Sequence, residues 1–101
     1  MTYQIKLFEA DVSPEELRAA EQRFRDALED SLGAPELVGP VYLAYQRLTG
    51  IYGEQPDIDT LTEAEKLVFE QWQAAELAAV AAAFGPNRYM GDAMYEIHVL
   101  V

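Results

Sequence analysis

Polar and apolar residues alternate at the start of the chain. Tyr3, Ile5 and Leu7 point one way, Gln4 and Lys6 the other. Period two with aromatic and branched side chains predicts a strand over Thr2–Ala10, its pattern broken at Phe8. The period then lengthens. Leu17, Ala20, Phe24, Ala27, Leu28 and Leu32 recur at three- and four-residue steps, with Arg18, Glu21, Arg25 and Glu29 elsewhere. That spacing predicts an amphipathic helix over about 14–32. Ser13-Pro14-Glu15-Glu16 writes its start: Ser13 caps free amides, Pro14 suits the first helical position, and Glu16 closes a capping box. Gly33 and Pro35 stop it. Arg25 and Glu29, four apart, are expected to pair on the surface.

The next segment carries two overlapping helical patterns. Val41, Tyr45, Leu48 and Tyr52 form one, and Ala44, Leu48 and Ile51 the other. With Gly39-Pro40 as a boundary and Gly50 and Gly53 as stops, a helix over about 40–49 is predicted. Glu54–Thr60 reads as an acidic loop. Thr62 with Glu65 three residues later forms a capping box, and Thr60 with Glu63 is an alternative register. The helix that follows runs over about 63–84 and ends at Gly85-Pro86. Its first half shows an apolar stripe of Ala64, Leu67, Val68, Trp72 and Ala75. After Gln73 only Glu76 is polar, so Ala74–Phe84 should be enclosed by other elements or by a second copy of the chain.

Tyr95, Ile97, Val99 and Val101 alternate with Met94, Glu96, His98 and Leu100, the pattern of a strand. Gly91-Asp92 is placed to turn a hairpin with Arg88–Met90. The prediction is therefore one α+β domain over 1–101: an N-terminal strand, three helices, and a C-terminal strand or hairpin (88–101) pairing with the first strand in a small sheet. The pattern leaves the direction of pairing open. The final strand, Ile97–Val101, carries no charge after Glu96 and is a candidate edge for self-association.

Charge narrows the partner class. The chain carries 18 Asp and Glu against 7 Lys and Arg, a net charge of −11 over 101 residues. Such a field disfavours polyanions, so direct nucleic-acid binding is not expected, and it favours basic partners. The distribution is uneven: Glu36 and Arg47 cancel across the aromatic-rich 34–53, whereas Glu54, Asp57 and Asp59 stand uncompensated in the loop that follows. No apolar run approaches the ~20 residues of a membrane span. The N-terminus lacks a basic segment before an apolar block, which argues against a secretory signal. With no cysteine, disulfides and thiolate sites are excluded, which suits a cytoplasmic setting.

Candidate chemistry is sparse. His98 is the single histidine, so a zinc site would need carboxylates for its other ligands. Glu54, Asp57 and Asp59 lack calcium-loop spacing. Ser13 and Ser31, the only serines, sit in no nucleophile elbow, and the glycines are scattered singly. No catalytic residue, metal or cofactor is therefore expected. Glu76, which interrupts an apolar face, marks either a wet strip of its helix or a carboxylate with a perturbed pKa.

Three functions fit this inventory. The first is a non-catalytic module that binds a basic protein, as an inhibitor or antagonist of a nucleic-acid-handling partner does, through ordered carboxylates. Its contact residues would be Glu54, Asp57, Asp59, Glu63, Glu65 and Glu70 with Tyr42 and Tyr52. The second is a self-associating structural or assembly subunit, joined through the Ile97–Val101 edge or Ala74–Phe84. The third is a small-ligand-binding or enzymatic domain with a pocket lined by tyrosines, Trp72 and Glu76.

Overall fold

A computed structural model describes residues 2–8, 12–49, 57–85 and 95–100. The fold is α+β. Strand β1 (Thr2–Leu7) is followed by helix α1 (Pro14–Leu32), a 3-10 turn (Pro35–Leu37), helix α2 (Val38–Thr49), a second 3-10 turn (Ile58–Thr60), helix α3 (Glu63–Phe84) and strand β2 (Tyr95–Leu100). The two strands pair antiparallel, which settles the direction that alternation left open. Register sets Tyr3 opposite Val99, Ile5 opposite Ile97 and Leu7 opposite Tyr95. Tyr3, Ile5, Leu7 and Ile97 are buried against the helices, while Gln4, Lys6, Glu96 and His98 face outward. Lys6 lies opposite Glu96, an opposite-charge cross-strand placement. The hairpin partner at Arg88–Met90 lies outside the described residues.

Helix α1 begins as its residues dictate. The Ser13 hydroxyl accepts from the Glu16 amide at 3.2 Å, with Pro14 at the first helical position. Gly33 ends it in the left-handed region at φ 99°, its amide donating to the Glu29 carbonyl. Ala20, Phe24, Leu28 and Leu32 are buried, and the Phe24 ring meets that of Tyr95 at 5.0 Å. Arg25 and Glu29 do not form the expected surface pair. Both turn to β1 instead. The Tyr3 hydroxyl donates to Glu29 Oε1 at 2.6 Å, and the Arg25 guanidinium lies 5.0 Å from the Tyr3 ring centroid. A partly buried hydroxyl with an acceptor and a cation over its ring outcompetes an exposed ion pair.

Helix α2 starts earlier than the Gly39-Pro40 boundary suggests. The 3-10 turn opened by Pro35 leads into it at Val38, which is fully buried. Pro40 then occupies the third helical position, where the amide has no intrahelical acceptor and its loss costs nothing. Gly39 before it escapes the pre-proline restriction on residues with a Cβ.

Helix α3 carries the reciprocal capping box at Thr62. The Glu65 amide donates to Thr62 Oγ1 at 3.1 Å and the Thr62 amide to Glu65 Oε1 at 2.9 Å. Thr60 serves the preceding turn instead, its hydroxyl donating to the Asp57 carbonyl at 2.7 Å. The buried face of α3 is Phe69, Trp72, Ala75, Ala79, Val80 and Ala83. Of the expected stripe, Trp72 and Ala75 are buried and Val68 is half-buried, but Ala64 and Leu67 are exposed. Ring packing decides between the two faces: Tyr45 stacks on Phe69 at 5.6 Å, and Tyr42 meets Trp72 at 5.0 Å. Turning Leu67 inward would turn these rings away. The helix is also not enclosed after Gln73, since Ala74, Leu77, Ala78 and Ala82 face outward.

The far end of α3 has no basic residue of its own in the last turn. Helix α1 supplies one. Arg23 donates from Nε to the Ala82 carbonyl at 2.9 Å and from Nη2 to the Ala83 carbonyl at 3.2 Å. It thereby satisfies carbonyls that lack intrahelical donors and sets a cation at the negative end of the helix dipole. No helix among the described residues is long and apolar enough to cross a membrane.

Candidate functional site

The carboxylates singled out by the sequence divide into committed and free groups. Asp57 is committed: its side chain accepts from the Asp59 amide at 3.1 Å and caps the 3-10 turn. Glu65 is committed to the α3 capping box. Asp59, Glu63 and Glu70 are exposed. Glu63 has Lys66 at 3.5 Å, and Glu70 has no ion pair or side-chain hydrogen bond among the described residues. Glu54 and Tyr52 lie outside the described residues.

Tyr42 does not join these acids. It packs on the inner side of α3, with its hydroxyl accepting from Gln46 Nε2 at 3.1 Å. Burial raises its pKa, and the charges of Glu76 and Glu96 raise it further. Tyr45 behaves alike, raised first by burial and then by Glu76. These tyrosines are partly buried neighbours of the core.

Glu76 sits beside this aromatic group, half-buried. Burial raises its pKa, and the Trp72 indole N–H one turn earlier opposes the rise. That N–H is buried and has no hydrogen-bond partner among the described residues. Glu76 is thus a tolerated polar flank of the core. His98 Nε2 lies 3.0 Å from Glu96 Oε1 on the outer face of the sheet. No group of three or more carboxylates or histidines among the described residues is placed to hold a metal ion.

Shallow grooves flank α3 among the described residues, the most open of them, of about 480 Å³, lying over Asp26, Asp30 and Ala82. Another, of about 240 Å³, lies against α2 and is lined by Ala44, Arg47, Leu48, Ala64, Glu65 and Val68. A third, of about 320 Å³, lies against α1 and includes Leu17, Arg23 and Phe84. Two of their polar side chains are already engaged, Glu65 in its cap and Arg23 on the α3 carbonyls. None of these grooves contains Glu76 or the tyrosine hydroxyls.

What the structure assembles is the outer face of α3. Glu63, Glu70 and Leu77 are exposed at seven-residue intervals, with Leu67, Ala74 and Ala78 exposed alongside. Leu77 falls within the Ala74–Phe84 segment expected to self-associate, whereas Leu67 belongs to no sequence-based site. The signal that could have found them is the heptad spacing of the face, with Leu77 continuing the Glu63 and Glu70 column and Leu67 standing beside it with Ala74. No protein-family model, curated protein or solved structure compared with the chain matches it.

Proposed function

We propose that this protein is a small, acidic, non-catalytic binding module that engages a basic partner in the cytoplasm, as an inhibitor or antagonist of a nucleic-acid-handling protein would. The observation that carries the reading is the mounting of its exposed carboxylates. Asp59, Glu63 and Glu70 stand on a capped helix and the turn leading into it, not on a tail. Glu63 and Glu70 are two turns apart, about 10.5 Å along the axis. Charges held at fixed separation gain attraction without ordering cost and steer encounter.

The test is capture from lysate at low and high salt, followed by affinity measurement with the identified partner. Reversing Asp59, Glu63 and Glu70 to Lys should abolish binding. Reversing Glu15, Asp30 and Glu36, all exposed and elsewhere, should weaken it only modestly. Equal loss in both variants would mean that net charge alone acts. Salt-insensitive capture would count against an electrostatic contact. Glu65 is left intact because its side chain caps α3.

A second reading, self-association as a structural subunit, is favoured by the exposed apolar surface of Ala74–Phe84. Light scattering across a concentration series tests it, and a monomer at high concentration removes it.

A further inference from the structure

Among the described residues, the two most exposed large hydrophobic side chains are Leu67 at 62% and Leu77 at 55%, and both stand on the outer face of α3. Exposed apolar groups on a rigid helix, rimmed by charge, mark interaction surfaces. Three columns run along this face at heptad spacing. One is Glu63, Glu70 and Leu77, a second is Leu67 and Ala74, and a third is Ala64, Gln71 and Ala78. Heptad spacing is the repeat into which another helix packs its side chains. The alanines allow close approach. Along the face the character changes from acidic at the N-terminal end to apolar at the C-terminal end.

A second copy of this chain fits the face poorly. Lys66 is the only cation on α3. Parallel pairing sets Glu63 on Glu63 and Glu70 on Glu70. Antiparallel pairing about Ala74 sets Glu70 against Ala78. An antiparallel register that brings Lys66 to Glu70 leaves Leu77 and Ala78 beyond the end of the other helix. The first two arrangements desolvate a carboxylate without a counterion, and the third forfeits the apolar contact. A helix that brings its own cations resolves both problems.

We propose that the outer face of α3 docks an amphipathic helix of the basic partner. The cationic end of that helix lies along Glu63 and Glu70, and its apolar end lies along Ala74, Leu77 and Ala78. This deepens the basic-partner reading and rests on it.

Three labelled probes test it by fluorescence anisotropy. The first is a synthetic helical peptide with lysines on one half and leucine and alanine on the other half of a single face. The second is a scrambled peptide of the same composition with no face. The third is poly-L-lysine. The faced peptide should bind about tenfold tighter than the scrambled one. Leu77→Glu and Ala78→Glu should each erase that difference, while Leu100→Asn, on the sheet, should not. Circular dichroism verifies that the exposed substitutions leave the fold intact. Equal affinity for the two peptides, or unchanged affinity in the Leu77 and Ala78 variants, overturns the proposal. If poly-L-lysine binding then falls on Asp59→Lys, the basic-partner reading survives without this face. If no basic probe binds at low salt, both fall. A concentration-dependent dimer dispersed by Leu77→Glu would show that a second copy occupies the face, and would also overturn the proposal.

Discussion

Replacing Arg23 with Met isolates the tie between α1 and the end of α3. Methionine keeps the apolar stem that packs along α1 and removes the guanidinium. Two contacts are lost, the 2.9 Å bond to the Ala82 carbonyl and the 3.2 Å bond to the Ala83 carbonyl. A hydrogen bond to a charged group is worth about 1.5–3 kcal/mol when shielded, and a cation at a helix C-terminus about 0.3–1 kcal/mol. Arg23 is largely exposed, so water replaces part of what is lost. The expected cost is about 1–2 kcal/mol, which for a chain of this size lowers Tm by roughly 4–16 °C. Urea unfolding should show a lower midpoint with an unchanged slope. Arg23→Lys keeps the charge but not the paired donors, and should lose about half as much. Amide exchange should rise first in the last turn of α3. The reasoning fails if Arg23→Met unfolds within about 0.3 kcal/mol of the parent, or if it costs no more than Arg23→Lys.

Three further perturbations probe other ties. Tyr3→Phe removes the donor to Glu29 and should cost about 1–2 kcal/mol in chemical denaturation; no change would mean that water replaces the bond fully. Thr62→Ala breaks one arm of the capping box and should cost about 1 kcal/mol, read as a lower Tm. Glu76 has a pKa raised by burial in the folded state, so the native form binds the extra proton. Its contribution to stability is complete below the ordinary carboxylate range and is lost as pH rises through the raised value. Glu76→Gln should therefore flatten stability across that window and leave the protein at least as stable at neutral pH; a steeper loss at neutral pH would refute the assignment.

Much of the fold was legible because its boundaries rest on local chemistry. Ser13 with Pro14, Gly33, Thr62 with Glu65, and Gly85 each act within a few residues, and the limits of α1 and α3 follow from them. What was not legible depends on contacts distant in sequence. The start of α2 turns on the burial of Val38, and the partner of Glu29 is a tyrosine 26 residues away. The inward face of α3 was misread because Ala64, Leu67, Val68, Trp72 and Ala75 share the helical spacing of the true face. Only the packing of Tyr42 and Tyr45 on Trp72 and Phe69 separates the two. The candidate site was legible in its acids and not in its leucines. Leu67 shares the helical spacing of the core face, so its exposure is not readable from periodicity, whereas the engagement of Glu65 with Thr62 is written in the local spacing and is present in the structure.

The pairing of Thr2 with Leu100 joins two strands separated in sequence by all three helices. The ladder can therefore assemble only after β2 has left the ribosome, whereas the three helices, all earlier in the chain, can coil and collapse before it. Bringing such remote segments together carries a loop-closure penalty that local helices avoid. Until Ile97 arrives, Tyr3, Ile5 and Leu7 can rest on the helices they contact, with one edge of β1 still unpaired.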